Sequence, residues 1–374
     1  MKRTYKLIFT ALLLITTFSS MWAKDYLPSA ENVKFLGRTH TENDVLWTFF
    51  SSSGVAFNVN AKRLDVTFAG DSGTPQRKDN GSLARVAVFV NGERKLDQLI
   101  MKQEVTFTVF DEAAPVKGEV KIIKISESAN SIAGIKNISV DDEGTISPAS
   151  QKSLKIEFIG DSITCGYGVD DEDRNHHFAT STEDNTKTYA YKTAQALDAD
   201  YSMVSVSGWG IVSGYTNSQK NPDSVLPKIY EKTGYTYGNK FNGKQPQSLN
   251  WDFNRFEPDF IVINLGTNDA SWTKNDNKKV EEYKKAYIAF LKQIRAKNPK
   301  AQIICSLGIM GGDLFPAIEE AVKIYSAETG DGKVSTLRFA NQSMADGIAA
   351  DWHPTEKTHA KAANLLVQKI KSLQ

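Results

Sequence analysis

Leu154-Lys155-Ile156-Glu157-Phe158-Ile159-Gly160-Asp161-Ser162-Ile163-Thr164 decides the fold of the C-terminal half. A largely apolar run ends on a glycine, and a polar pair follows where a helix would begin. Similar apolar runs recur at 201–206, 259–265 and 301–307. Helix-period segments alternate with them near 189–197, 278–297, 315–328 and 355–373. Strands apolar on both faces, each followed by a helix, predict a parallel sheet covered on both sides, in a flavodoxin-like arrangement over 151–374. The span 217–254, rich in Asn, Gly, Pro and Gln, reads as an insertion over the active face.

Upstream the texture changes. Short β-branched or aromatic runs at 55–60, 63–69, 84–91, 105–110, 119–126 and 135–141 alternate polar with apolar, as in Val86, Val88, Val90. Turn formers separate them, among them Asp71-Ser72-Gly73, Asn80-Gly81 and Asn91-Gly92. That pattern predicts an antiparallel β-sandwich over 25–150, jelly-roll-like.

The first residues predict a signal peptide over 1–23. Lys2, Arg3 and Lys6 precede an apolar run too short to span a bilayer, and small residues follow it. The mature chain is therefore expected outside the cytoplasm, periplasmic or secreted, with no membrane span. Among 374 residues, Lys+Arg total 45 against Asp+Glu 44, a net charge of +1. So balanced a chain has no field to gather nucleic acid or anionic lipid, which points to a neutral ligand. The two cysteines, Cys165 and Cys305, are expected to be free thiols beside strand ends. A monomer is expected.

In an open parallel sheet, ligands bind outside the carboxyl ends of the strands, and four short blocks fall there. Gly160-Asp161-Ser162 can project a hydroxyl beside free helix N–H groups; read alone, it is as well a helix N-cap. Ser207-Gly208-Trp209-Gly210 can bring a backbone N–H close to an oxyanion, through Gly208 or Gly210, or be only a turn. Gly266-Thr267-Asn268-Asp269 offers a side-chain amide, or caps a turn. Asp351-Trp352-His353-Pro354 holds the one histidine of five that sits beside a carboxylate at a helix start, a candidate base for Ser162. In one order and one structural context, the blocks make a nucleophile, oxyanion donors and a base.

These blocks resemble those of the SGNH (GDS-like) hydrolases. With the β-domain in front, the whole chain resembles carbohydrate esterase family 2. The resemblance implies an acetyl esterase acting on acetylated hemicellulose of xylan or glucomannan type, without metal or cofactor. It implies Ser162 as nucleophile, His353 as base, and an oxyanion hole of Ser162 N–H, Gly208 N–H and the Asn268 amide. The sequence departs from the superfamily in one place: Asp usually lies three residues before the histidine, where this chain has Ala350. Asp351, two residues before, is expected to complete a triad, a backbone carbonyl being the alternative. Trp209, Trp272 and Trp352, each near a block, are candidate sugar platforms or packing residues. His40, His176, His177 and His359 show no metal-ligand spacing. Two rival readings are an esterase of another acetylated glycan or a lipid, and a non-catalytic carbohydrate-binding protein. The polar 217–254 insertion favours sugar over lipid.

Overall fold

The computed structural model describes residues 23–77 and 81–374. Apart from Ala23, the expected signal peptide lies outside the described residues.

Between Lys24 and Pro148 the described strands form one curled antiparallel sheet of ten strands. Two long strands, Gly54–Gly70 and Glu104–Lys124, run side by side through it. Register shifts between Ala61 and Arg63 and between Leu64 and Asp65 divide the first of them. Its leading half pairs with Lys34–Leu36 and Thr145–Pro148, its trailing half with Ala133–Val140. The expected two-layered body is therefore a single sheet in which bulged strands pass from one layer to the other. The inward set shifts from Val55, Phe57 and Val59 to Leu64, Val66 and Phe68, all in one core cluster. That change of parity is why one strand reads in sequence as two.

The second sheet is parallel, with five strands in the order Asp200–Ser205, Lys155–Gly160, Phe260–Asn264, Gln302–Ile309, Val334–Asn341. In chain order this is 2-1-3-4-5, the flavodoxin-like arrangement, with its switch point beside Lys155–Gly160. Helices Tyr189–Ala196, Asn277–Lys297, Phe315–Thr329 and Glu356–Lys371 cover the faces. The fifth strand was not expected. Val-Ser-Thr-Leu-Arg-Phe-Ala-Asn is an edge strand, half-exposed along most of its length, so it lacks the apolar run of its neighbours.

The two sheets share a core. Leu36, Ala56, Ala87, Ile123 and Ile125 pack in one cluster with Phe158, Tyr189 and Tyr201. Buried ion pairs cross the same junction, Lys34–Asp200 at 2.6 Å and Arg38–Glu157 at 3.2 Å. The 217–254 segment folds into short 3-10 turns and bridges to the β-domain, with Tyr237 N–H donating to Ala129 O (2.9 Å). No described helix is long and apolar enough to cross a membrane. Cys165 and Cys305 are both buried free thiols.

Candidate active site

Strand Lys155–Gly160 delivers Ser162 to the switch point of the parallel sheet. A Cβ at Gly160 would meet the Thr164 hydroxyl oxygen at 2.0 Å, so only glycine allows so tight an exit. Asp161 caps the short helix Ser162–Cys165 by accepting from Ile163 N–H (3.1 Å). The cap reading of this block is thus realised by Asp161, which leaves the Ser162 hydroxyl free to face another partner. Ser162, at the first helical position, has a backbone N–H with no intrahelical partner.

His353 Nε2 lies 2.8 Å from Ser162 Oγ, and both side chains are buried. Burial pushes the imidazole down to about 4, against the carbonyls of Ala350 and Asp351 and the Asp351 charge. It is therefore neutral at pH 7 and ready to accept a proton.

The expected triad is corrected here. Nδ1 of His353 faces two backbone carbonyls, Ala350 O at 3.2 Å and Asp351 O at 3.1 Å. The Asp351 carboxylate turns the other way, accepting from Tyr167 Oη (2.6 Å), Phe178 N–H (3.0 Å) and His177 Nδ1 (2.9 Å). Burial works against its charge, but these hydrogen bonds outweigh it and hold the carboxyl below its usual range. The cause is local. Asp351 and Trp352 adopt left-handed φ values of 48° and 64°, which reverses the extended geometry that would have put Asp351 and His353 on one face. Asp351 thus anchors a strained turn whose carbonyls meet the imidazole.

The other blocks converge on the same point. Gly208 sits at φ +77°, and a Cβ there would meet open space. Its N–H has no acceptor among the described residues, whereas Gly210 N–H is spent on Ser224 O at 3.1 Å. Gly208 is thus the glycine with a donor to spare. Asn268 Nδ2 donates to Trp209 O (2.8 Å) and, more loosely, approaches Asp161 Oδ2 (3.2 Å). Asp269 accepts from three successive N–H groups, Ile211, Val212 and Ser213, at 2.7–3.1 Å. Burial raises its carboxyl to about 6 against those same donors. The Asn-Asp pair therefore clamps the glycine block beside the serine.

The tryptophans separate. Trp209 and Trp272 are 2% and 7% exposed and belong to the hydrophobic core cluster. Neither offers a ring face to a sugar, and packing is their role. Trp352 is 53% exposed next to His353, with the Arg174 guanidinium 4.5 Å from its ring centre. Sequence reading missed Tyr167, whose ring stacks on His353 at 4.0 Å and 20°. Its place in Gly166-Tyr167-Gly168, just past the serine helix, was the available signal. His176 and His177 lie on the surface, with His177 behind Asp351. His359 is buried and accepts from Tyr189 N–H (3.1 Å).

Residues 158–361 match the GDSL-like Lipase/Acylhydrolase family and residues 35–149 match the Carbohydrate esterase 2 N-terminal domain. An acetyl xylan esterase from the rumen bacterium Butyrivibrio proteoclasticus superposes with a TM-score of 0.85 at 28% identity, over 94% of this chain and 98% of that one. An acetylxylan esterase / glucomannan deacetylase of Cellvibrio japonicus is 27% identical over 92% of this chain and 90% of its own length. The cellulase/esterase CelE of Acetivibrio thermocellus is 34% identical over 58% of this chain, which spans only 25% of that larger protein. The chain belongs to the GDSL-like lipase/acylhydrolase family and carries, in front of that domain, the N-terminal domain of carbohydrate esterase family 2.

Proposed function

We propose that this chain is a serine esterase that removes O-acetyl groups from acetylated hemicellulose, of xylan or glucomannan type, through an acetyl-enzyme. The observation that carries it is the 2.8 Å contact between Ser162 Oγ and a buried, neutral His353. The names of the relatives above support the substrate class.

His353 Nε2 takes the Ser162 proton as Oγ attacks the acetyl carbonyl carbon. The Ala350 and Asp351 carbonyls, accepting from Nδ1–H, hold the tautomer with Nε2 toward the serine and receive the imidazolium that forms. The oxyanion gathers donors from Ser162 N–H, Gly208 N–H and Asn268 Nδ2, the last exchanging its long contact to Asp161. Each such donor is worth about 2.7–4 kcal/mol in the transition state. As the tetrahedral intermediate collapses, its C–O bond to the sugar breaks and the imidazolium protonates the departing oxygen, so that the sugar leaves as the free hydroxyl and the acetyl group stays on Ser162. Water, activated by the same nitrogen, releases acetate and restores Ser162. Tyr167, stacked on the imidazole, fixes its plane and presents a π face to the developing cation. Trp352 is the aromatic available to a sugar ring at the mouth of the site. The signal peptide expected at the N-terminus would put this activity outside the cytoplasm, and a monomer is expected to carry it.

The test is acetate release from acetylated xylan and acetylated glucomannan, set against hydrolysis of long-chain p-nitrophenyl esters. Turnover of the polymers with a strong preference for acetyl over long acyl chains is expected. Preference for long acyl chains, or no hydrolysis of any ester, would overturn the reading.

A further inference from the structure

Glu127 belongs to the β-domain, in the segment between strands Glu104–Lys124 and Ala133–Val140. It is buried, yet it reaches across the junction into the GDSL-like domain. Its Oε2 accepts from Ser207 N–H at 2.8 Å and lies 3.7 Å from Cys165 Sγ. Its own N–H donates to Glu183 Oε2 at 2.8 Å, and Asn130 Nδ2 approaches Oε1 at 3.4 Å. Ser207 is the residue before Gly208, and Cys165 ends the helix that Ser162 begins. One carboxylate oxygen therefore touches both segments that carry the backbone oxyanion donors.

The far side of Gly208 is fixed separately. Tyr215 N–H donates to Gly208 O (2.8 Å), and Asn268 holds Trp209 O (2.8 Å). On the near side, Glu127 is the one acceptor of the Ser207 amide among the described residues. Gly208, at φ +77° and with open space beside it, has no side chain to resist rotation. Glu127, Cys165 and Glu183 also bring three potential metal-ligand atoms within 4.8 Å of one another. The buried Lys124 ammonium acts electrostatically on both carboxylates, while its own hydrogen bond goes to Ser126 O.

We propose that Glu127 is a positioning residue for the oxyanion hole, so that the β-domain completes the active site of the GDSL-like domain. The inference rests on the serine-esterase reading above. It is tested in the full-length chain with Glu127→Met, which keeps the volume and removes the acceptor, and Glu127→Gln, whose amide oxygen can still accept from Ser207 N–H. With p-nitrophenyl acetate, Glu127→Met should lose about a hundredfold in kcat with KM little changed, the effect of misplacing a group by ~1 Å. Glu127→Gln should recover most of that loss. A merely structural role would move both variants together and leave the KM-against-kcat split unmoved. The Ser207 amide of the wild-type chain should be protected from hydrogen exchange. This holds even if Glu127→Met fails to fold. A folded Glu127→Met with wild-type kcat, a Glu127→Gln as slow as Glu127→Met, or a freely exchanging Ser207 amide would each overturn the proposal. Ser162→Ala is assayed in parallel: if it stays active, the esterase reading fails, whereas an inactive Ser162→Ala beside a fully active Glu127→Met sinks only the role of Glu127.

Discussion

Replacing Asp351 separates two catalytic designs that the sequence left open. In a triad, exchanging the carboxylate for an amide costs about ten-thousandfold in kcat, because the imidazole is held in the wrong tautomer. Here Nδ1 already has two carbonyl partners at 3.1–3.2 Å, and neither depends on the Asp351 side-chain charge. Asp351→Asn should therefore keep kcat within about tenfold of wild type, or ~1.4 kcal/mol of barrier. Asparagine also tolerates the left-handed conformation at φ 48°. Asp351→Ala is a different perturbation. It removes the acceptor for Tyr167 Oη, Phe178 N–H and His177 at 2.6–3.0 Å and puts a residue with no local hydrogen bond in a left-handed position. Hydrogen bonds to a charged group contribute about 1.5–3 kcal/mol each when buried. The side chain is about 30% exposed and His177 is almost fully so, which discounts the sum to roughly 2 kcal/mol. The assay is steady-state hydrolysis of p-nitrophenyl acetate beside denaturant unfolding for both variants. A folded Asp351→Asn slower by a thousandfold or more would refute the backbone-carbonyl dyad and restore the triad.

Asn268→Ala should lower kcat by about two to three orders of magnitude with little change in KM, the loss of one oxyanion donor; a rise in KM alone would make Asn268 a ground-state contact. The base must be neutral to work, and burial holds His353 at about 4, below its ordinary value. Activity should therefore fall as pH drops through about 4 and stay flat toward neutrality. A midpoint near 6.5 in the kcat/KM profile would contradict the desolvated site. Burial also lowers His359, to about 3. At these two histidines the unfolded chain binds more protons than the folded one between about pH 6.5 and 3, so their contribution to stability is lost on acidification, while the buried Asp269 and Asp161, raised to about 6 and about 7, act in the opposite sense. His359→Gln, whose amide oxygen can still accept from Tyr189 N–H, should lose less stability than wild type when the pH falls below about 6.5, and an unchanged acid sensitivity would count against this. Trp209→Ala should destabilise the chain by about 3–5 kcal/mol as a core deletion, whereas Trp352→Ala should leave stability intact and raise KM for polymer but not for p-nitrophenyl acetate.

What sequence could convey depended on how local the cause was. The parallel sheet was legible because strands buried on both faces are apolar throughout, as in Ile261-Val262-Ile263. The exposed edge strand Val334–Asn341 carries no such run and escaped notice. The long strand Gly54–Gly70 was seen as two because its bulge exchanges the inward parity. In the site, Ser162 and His353 announced themselves by residue type and place. Asp351 misled because spacing in an extended chain presumes β-region dihedrals, and two consecutive left-handed residues, Asp351 and Trp352, reversed its side chain. Trp209 and Trp272 were near the blocks in sequence, but proximity does not tell which way an indole points. Tyr167 and Glu127 act through tertiary contacts, one stacking on the imidazole and the other crossing from the β-domain, which no local pattern encodes.

The most direct measurement is acetate release from acetylated xylan by wild type and by Ser162→Ala, with folding of both confirmed by their melting curves. The account predicts steady release by wild type and none above the uncatalysed rate by Ser162→Ala. Release by a folded Ser162→Ala at a rate comparable to wild type would contradict it, since no other side chain lies within hydrogen-bonding reach of His353 Nε2 among the described residues.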